Sequence, residues 1–211
     1  MTAQHAPLAA PGPAPAAARR PAFDAVVVGG SSGGLEALMQ LLPALPPTLR
    51  ACVLVVLHLP RDRRSLLPEI FSPRCPLPLH EAQDKDPPQP GHVYFAPPDY
   101  HLLVDQGPRL ALSVDPPVHY SRPSIDVLME SAADLWGERL LGILLSGANE
   151  DGAQGMAAIH AAGGLTVVQA PDSAPMPTMP LAALARAPMH HILAPADMPA
   201  LLQQLHTQHL L

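Results

Sequence analysis

The fold is decided by one stretch, Asp24-Ala25-Val26-Val27-Val28 followed by Gly29-Gly30-Ser31-Ser32-Gly33-Gly34 and Leu35-Glu36-Ala37-Leu38-Met39-Gln40-Leu41-Leu42. The β-branched run predicts a strand, the glycines a tight turn, and the last segment a helix that ends before Pro43. Further on, Ala51-Cys52-Val53-Leu54-Val55-Val56-Leu57 is an unbroken apolar run, typical of a strand buried on both faces. A strand, a helix and a second strand in this order predict a parallel pair.

Strand and helix patterns continue to alternate after this unit. Residues 124–135 have helical apolar spacing with Ser124 as N-cap, residues 139–146 form a buried apolar run, and a helix (153–162), a strand (165–168) and a terminal amphipathic helix follow. Between residues 76 and 118, short extended pieces at 92–96, 102–104 and 110–113 predict an antiparallel hairpin region at the sheet edge. We therefore predict an α/β three-layer sandwich with a mostly parallel, doubly wound, Rossmann-like sheet and a small antiparallel hairpin region.

Length and composition restrict the domain number and the class of partner. A chain of 211 residues supports one full core, and the prolines at positions 7, 11, 13, 15 and 21 predict a disordered Ala/Pro-rich tail over residues 1–22, before a single domain over residues 23–211. A net charge of -6 excludes general attraction to nucleic acid. The first residues lack the apolar core of an export signal. No later segment is long enough to span a membrane without a charge or a proline. The two cysteines are too few for a disulfide framework. We expect a cytoplasmic monomer without membrane insertion.

Three polar side chains follow strands that end at the same edge of the predicted sheet. Ser31 follows the first strand, His58 follows the second, and Asp151 lies in the loop after the strand that ends near residue 146. Loops at the carboxyl ends of parallel strands converge. A nucleophilic serine needs a histidine base, which in turn needs a carboxylate to orient it. The sequence therefore predicts Ser31 as nucleophile, His58 as base and Asp151 as the orienting acid.

Backbone groups of two loops are candidates for the oxyanion site. The N–H of Ser32 lies at the start of the first predicted helix, where backbone N–H groups lack partners within the helix. The loop that contains Ala148 is the candidate for a second donor from the opposite side.

Each of these signals has an alternative interpretation. The glycine loop alone is as typical of a phosphate or dinucleotide cradle as of a nucleophile loop. A dinucleotide-binding fold, however, has an acidic residue at the end of the second strand, where this chain has Leu57-His58. The loop also lacks the lysine of a Walker motif. His58 is distinguished from the other histidines by position alone, and Asp151 before Gly152 also fits a helix cap. The adjacent His190-His191 would point to opposite faces of a strand, so we expect no metal site.

The chain also carries, in this order, Gly29-Gly30-Ser31-Ser32-Gly33-Gly34, His58-Leu59-Pro60, Gly91-His92-Val93-Tyr94-Phe95-Ala96-Pro97-Pro98-Asp99, Ser121-Arg122-Pro123-Ser124-Ile125-Asp126-Val127-Leu128 and Leu145-Ser146-Gly147-Ala148-Asn149-Glu150-Asp151-Gly152-Ala153-Gln154-Gly155-Met156. Over residues 24–205 it resembles the catalytic domain of the CheB family of chemotaxis methylesterases. The resemblance implies a cofactor-free hydrolase with a Ser-His-Asp triad. It implies cleavage of glutamyl methyl esters on chemoreceptor helices with release of methanol, and, as in many members, deamidation of glutamines. The triad falls on Ser31, His58 and Asp151, with backbone oxyanion donors at Ser32 and Ala148.

Departures from the family concern regulation and the rim of the site. Members usually carry an N-terminal receiver domain, whereas here the Ala/Pro-rich tail precedes the first strand, so a separate receiver or signalling protein is an implied partner besides the methylated receptor helices. Ala148 stands where the family commonly has methionine, and Leu57 where it often has glutamine. Because Glu150 lies next to Asp151 in the sequence, we predict that like-charge repulsion raises the pKa of Asp151.

Two arginines after the base are the candidates for contact with substrate. Arg61 and Arg64 would meet an acidic receptor surface, and solvated arginines are the alternative. For the chain as a whole, the alternative to an enzyme is a non-catalytic module that binds receptors or a regulator and has retained the fold.

Overall fold

A computed structural model describes residues 21–59 and 65–211. The strands are β1 (Ala25–Gly30), β2 (Cys52–Leu57), β3 (Leu79–Glu81), β4 (Val93–Phe95), β5 (His101–Asp105), β6 (Arg109–Ser113), β7 (Leu140–Leu144), β8 (Leu165–Gln169) and β9 (His191–Leu193). The helices are α1 (Gly34–Leu41), α2 (Leu67–Phe71), α3 (Ile125–Trp136), α4 (Ala153–Ala161), α5 (Thr178–Arg186) and α6 (Met198–Thr207). The predicted elements occur in the predicted order, and α2, β3, α5 and β9 are additional elements that the sequence analysis does not predict.

Within the described residues, seven strands form one sheet in the order β3-β4-β2-β1-β7-β8-β9, with every neighbouring pair parallel. The strands β5 and β6 form a separate antiparallel pair. The predicted α/β class, parallel sheet and antiparallel hairpin are confirmed. The predicted tail lies outside the described residues up to residue 20, and no described helix is long and apolar enough to cross a membrane.

The sheet has a hydrophobic core on each face, because successive side chains of a strand point to opposite sides. In β1, Val26 and Val28 belong to the core that α1 and α6 cover, whereas Ala25 and Val27 belong to the core that α3, α4 and α5 cover. All six residues of β1 are buried, as are all six of β2. The central strands are therefore apolar throughout, which explains why their sequences show a continuous run instead of an alternation.

The extended piece at residues 92–96 does not belong to the antiparallel region, so that prediction is wrong. Its strand β4 lies parallel to β2 inside the main sheet, with Val93 opposite Val53 and Phe95 opposite Val55. Burial on both faces decides this placement, because every residue of β4 is buried. The hairpin of β5 and β6 packs against α3, where the backbone N–H of Val104 donates to Ser131 Oγ (3.2 Å), instead of extending the sheet edge.

Two glycines after and within β1 bring other elements close to the end of this strand. A Cβ atom at Gly29 would overlap with Cγ2 of Ile125, so the absence of a side chain lets the N-terminus of α3 lie directly on β1. Gly33 has a φ of +80°, a left-handed conformation that starts α1 immediately after the turn. The first turn of α3 thus lies beside the loop that contains Ser31.

Candidate active site

Loops from three neighbouring strands meet at the carboxyl end of β1. The parallel register pairs Gly30 with Leu57, so the next residues, Ser31 and His58, follow side by side. The backbone N–H of His58 donates to the carbonyl of Gly30 (3.1 Å), and that of Ser31 donates to the carbonyl of Ser146 (2.9 Å). The main chain therefore fixes the starts of the loops after β1, β2 and β7 against one another.

His58 and Asp151 form a hydrogen-bonded pair. Nε2 of His58 lies 2.9 Å from Oδ2 of Asp151, whose side chain is completely buried. An ionised carboxylate only accepts, so Nε2 carries the hydrogen and Nδ1 is the unprotonated nitrogen of the neutral ring. Nδ1 is consequently the atom of His58 that can act as a base.

Four donors surround the carboxylate of Asp151. Oδ2 accepts from His58 and from the backbone N–H of Ile125 (2.8 Å), whereas Oδ1 accepts from Ser124 Oγ (2.8 Å) and from the backbone N–H of Asp126 (3.0 Å). Two of these donors belong to the first turn of α3, whose N-terminus favours a negative charge. Burial alone would raise the pKa of Asp151, but these hydrogen bonds outweigh it and hold the pKa below its ordinary value.

Glu150 does not raise the pKa of Asp151, so the prediction of like-charge repulsion is wrong. Its carboxylate points away to Arg186 (3.2 Å), and half of its side chain is exposed to solvent. Solvent and the guanidinium screen its charge from the buried neighbour. Adjacency in sequence therefore gives no measure of electrostatic coupling here.

A further hydrogen-bonded layer positions Ser124, which the sequence predicts only as a helix N-cap. Its backbone N–H donates to Nδ1 of the buried His101 (3.1 Å), so Nε2 of His101 carries the hydrogen and donates to the carbonyl of Pro116 (3.2 Å). Ser124 Oγ also accepts from the backbone N–H of Val127 (3.4 Å), as an N-cap does. Ser124 thus caps α3 and orients Asp151 with one hydroxyl.

Ser121 is a residue of the site to which the sequence pattern assigns no role. Its Oγ lies 3.3 Å from Nδ1 of His58 and also accepts from Nδ2 of Asn149 (3.4 Å). Ser31 Oγ, in contrast, has no hydrogen bond to His58 or to any other described residue. Since 63 positions separate Ser121 from His58, no local pattern indicates their proximity. The structure joins His58 and Asp151 by a hydrogen bond, whereas Ser31 lies in the neighbouring loop without a hydrogen bond to His58. Catalytic hydrogen bonds are often long or absent before substrate binds.

The two predicted oxyanion donors, the backbone N–H groups of Ser32 and Ala148, belong to residues at the protein surface. Ser32 and Ala148 are exposed, and their backbone N–H groups have no acceptor among the described residues. The neighbouring N–H of Gly147, in contrast, donates to the carbonyl of Met176 (3.0 Å). Their assignment, like that of Ser31, His58 and Asp151 as a triad, stays a prediction.

The other side chains that the sequence singles out lie away from this site or outside the described residues. Arg61 and Arg64 fall within residues 60–64, which lie outside the described residues. His191 begins β9, and Nδ1 of His190 lies 2.8 Å from Oγ1 of Thr166. In residues 21–59 and 65–211, no cluster of three or more His, Cys, Asp or Glu side chains is arranged to hold a metal ion.

Asp126 is a second buried carboxylate beside Asp151. Its Oδ1 accepts from the backbone N–H of Gly155 (2.7 Å), and its Oδ2 lies 3.5 Å from Nε2 of His119. Burial raises the pKa of Asp126 to about 6, an effect that the Gly155 hydrogen bond opposes and the negative charge of Asp151 reinforces. Ionisation of Asp126 therefore lowers the free energy of unfolding of the protein.

Replacement of Asp126 by asparagine is expected to stabilise the protein at pH 8 and to have little effect at pH 4. As pH rises from 3.8 to about 6, Asp126 ionises in the unfolded chain before it ionises in the folded one, so the free energy of unfolding falls. The loss is about 2–3 kcal/mol above pH 6. Asparagine stays neutral and keeps an acceptor for Gly155. Urea unfolding at both pH values measures the difference.

The exposed Asp134 on the same helix provides the matched control. Asp134→Asn should change the free energy of unfolding by less than about 0.5 kcal/mol at either pH. An equal gain from Asp126→Asn at pH 4 and pH 8 would contradict the assigned cause.

Comparison with known proteins gives one consistent result. Residues 26–202 match the family model described as CheB methylesterase. A protein of Leptospira interrogans, provisionally named as a protein-glutamate methylesterase/protein-glutamine glutaminase, is 37% identical over 172 residues, which cover 82% of this chain and 89% of that protein. A protein-glutamate methylesterase/protein-glutamine glutaminase of Symbiobacterium thermophilum is 44% identical over 144 residues, 68% of this chain and 40% of its own length.

A solved structure agrees with these relatives. The crystal structure of the Thermotoga maritima CheB methylesterase catalytic domain superimposes with a TM-score of 0.82 and 26% sequence identity. The match covers 87% of this chain and 99% of that domain. The structural similarity thus extends over most of this chain and nearly all of that domain.

Proposed function

Because the chain belongs to the CheB methylesterase family, we propose that it hydrolyses the methyl esters of glutamate side chains on chemoreceptor proteins and releases methanol. In this proposal Ser31 is the nucleophile, His58 the base and Asp151 the residue that orients the base. The observation that carries it is the 2.9 Å hydrogen bond from Nε2 of His58 to the buried Asp151, which leaves Nδ1, 3.3 Å from Ser121 Oγ, as the nitrogen that can take a proton.

The reaction proceeds through an acyl-enzyme. Ser31 Oγ attacks the ester carbonyl while Nδ1 of His58 takes its proton, and the backbone N–H groups of Ser32 and Ala148 donate to the oxyanion. The same nitrogen then gives the proton to the departing methoxide, and methanol leaves. A water molecule, activated by His58, hydrolyses the acyl-enzyme and restores Ser31. Asp151 stabilises the imidazolium that forms in both halves.

Deamidation of glutamine is a second activity that the same groups support. An amide passes through the same acyl-enzyme, and its leaving group is ammonia instead of methanol. The named glutaminase activity of the relatives agrees with this chemistry.

The proposed partners are methylated helices of a chemoreceptor and a separate receiver or signalling protein. Exposure of Ser32 and Ala148 suits a substrate side chain presented by a folded helix, because the donors lie at the protein surface. A non-catalytic binding module is the alternative function. The buried carboxylate of Asp151, which accepts four hydrogen bonds and orients His58, favours the enzyme, because a binding module does not need an oriented base.

The test combines chemical labelling with turnover. A fluorophosphonate probe should form an adduct on Ser31, located by mass spectrometry of the digested protein, and the unlabelled protein should release methanol from methylated receptor in membranes. Parallel reactions with and without a phosphorylated receiver protein measure regulation. A folded protein that neither takes up the probe nor releases methanol under either condition is the binding module.

A further inference from the structure

A buried serine connects the two loops that carry the proposed oxyanion donors. Ser146 follows the end of β7 by two positions and is completely buried. Its Oγ lies 2.8 Å from the carbonyl oxygen of Ser32, in the loop after β1, and 3.0 Å from the backbone nitrogen of Met176, in the segment before α5. Along the chain, Ser146 stands two residues before Ala148. The proposed mechanism gives this side chain no role.

The groups around the hydroxyl of Ser146 determine the direction of its hydrogen bonds. The backbone N–H of Met176 donates to Oγ, so the hydroxyl keeps its single hydrogen to donate. The carbonyl of Met176 lies 3.2 Å away and already accepts from the backbone N–H of Gly147 (3.0 Å). The carbonyl of Ser32 is closer, at 2.8 Å. The hydroxyl of Ser146 therefore donates to Ser32 and accepts from Met176.

The peptide group that carries the N–H of Ser32 is held from three sides. Its own carbonyl, that of Ser31, accepts from the backbone N–H of Gly34 (2.8 Å). The preceding peptide group donates through the N–H of Ser31 to the carbonyl of Ser146 (2.9 Å), and the following one accepts from Ser146 Oγ. Because the C=O and N–H of a trans peptide point in opposite directions, these hydrogen bonds fix the direction of the Ser32 N–H.

The peptide group that carries the N–H of Ala148 is held in the same way. Its carbonyl, that of Gly147, accepts from the backbone N–H of Met179 in the first turn of α5 (3.0 Å). The N–H of Gly147 donates to the carbonyl of Met176 (3.0 Å), the residue whose N–H donates to Ser146 Oγ. Contacts with the segment to which Ser146 is bonded therefore fix the direction of the Ala148 N–H.

The spacing of these two N–H groups matters for the chemistry. An oxyanion accepts from both donors only when each lies about 2.7–3.1 Å from it, so the two loops have to be held at one distance. We infer that Ser146 is a positioning residue, whose hydroxyl sets the spacing between the loop of Ser32 and the loop of Ala148. Because Ser146 is completely buried, it acts through these backbone groups and not on the substrate. The inference rests on the proposed function and adds a residue to its mechanism.

Replacement of Ser146 by alanine tests the inference. Ser146→Ala removes the hydrogen bond to the carbonyl of Ser32 and leaves the backbone hydrogen bonds of residue 146 in place. We expect kcat for methanol release from methylated receptor to fall at least about tenfold, a part of the roughly hundredfold loss that follows complete removal of an oxyanion donor in other hydrolases. Each kcat is divided by the number of active sites that a fluorophosphonate labels at completion, so unfolded protein does not contribute.

Two further properties of Ser146→Ala separate a positioning role from a merely structural one. KM for the receptor should stay within about twofold of the wild type, because the oxyanion forms only after the receptor has bound. The pH dependence of kcat should also be unchanged, because the substitution leaves the hydrogen bond from His58 to Asp151 in place. A shifted pH profile would mean that the substitution acts on the base, and it would overturn the assigned role.

Replacement of Ser146 by cysteine distinguishes the hydrogen bond from the volume of the side chain. A thiol fills the position but is a weak donor and a weak acceptor. We expect the kcat of Ser146→Cys to lie closer to that of Ser146→Ala than to that of the wild type. A cysteine variant with the wild-type kcat would show that volume alone holds the loops, which contradicts the inference.

Thr166 provides the matched control, because its hydroxyl is also buried and hydrogen-bonded. Its Oγ1 accepts from the backbone N–H of His190 (3.2 Å) and lies 2.8 Å from Nδ1 of the same residue. Thr166 is the second residue of β8, whereas the site lies at the carboxyl ends of the strands. Thr166→Val should lower the urea midpoint of unfolding, as Ser146→Ala does, and should keep kcat per labelled site within about twofold of the wild type.

The outcomes separate this inference from the proposed function. A wild-type kcat per labelled site in Ser146→Ala, or a loss that Thr166→Val equals, overturns the positioning role and leaves the esterase assignment intact. If the wild-type protein releases no methanol and a fluorophosphonate leaves Ser31 unlabelled, the proposed function itself fails, and the inference falls with it.

Discussion

Replacement of Ser31 by alanine is expected to reduce methanol release from methylated receptor by about 10⁴-fold or more. Removing the nucleophile eliminates the acyl-enzyme, and what remains is the contribution of binding and of the oxyanion donors. Stability should change little, because Ser31 Oγ makes no hydrogen bond with any described residue. A large loss of activity without a loss of stability is the signature of a residue that acts in the chemistry.

The measurement is methanol release at saturating receptor, together with urea unfolding of each variant. Ser72→Ala, an exposed serine that follows α2, is the control and should retain full activity. Ser121 provides the informative contrast, because its hydroxyl and not that of Ser31 lies within hydrogen-bond distance of Nδ1. If Ser31→Ala kept its activity while Ser121→Ala lost it, the nucleophile would have to be reassigned to Ser121.

Local patterns are sufficient to predict the central elements and the edge of the sheet at which the site lies. The apolar runs of β1 and β2 and the glycine turn between β1 and α1 are each properties of a few consecutive residues. Parallel strands bring the residues that follow them to one edge, which is why position alone predicts that Ser31 and His58 lie side by side. Pairing of Nε2 with Asp151 agrees with the predicted partnership.

Long-range contacts account for what the sequence does not predict. The strand β4 pairs with β2 in the main sheet, and all three of its residues are buried. A strand of three residues is too short for its hydrophobic periodicity to show which sheet it joins. Ser121 reaches His58 only because the chain returns to the site after the hairpin of β5 and β6. The pKa of Asp151 is lowered by the hydrogen bond with His58 and by the backbone donors of α3, and its sequence neighbour Glu150 does not contribute.

Asp151→Asn is expected to reduce both activity and stability, in contrast to Ser31→Ala. Each carboxylate oxygen of Asp151 accepts two donors, and an amide can replace only one oxygen with an acceptor. If the NH₂ group faces His58, the ring must accept at Nε2 and carry its hydrogen on Nδ1, the wrong tautomer for a base. If the NH₂ group faces the other side, the imidazolium loses its negative partner. By analogy with other triads, kcat should fall about 10⁴-fold.

The stability loss has a separate cause, because either orientation of the amide leaves one buried backbone N–H without an acceptor. The orphan is that of Ile125 in one orientation and that of Asp126 in the other, at a cost of about 1–3 kcal/mol. Glu150→Gln, at the exposed neighbour, is the control and should change the free energy of unfolding by less than about 0.5 kcal/mol. Methanol release and urea unfolding of both variants measure these effects. An Asp151→Asn protein with wild-type stability would mean that the donors of α3 do not depend on the carboxylate, and the proposed orientation of His58 would lose its structural basis.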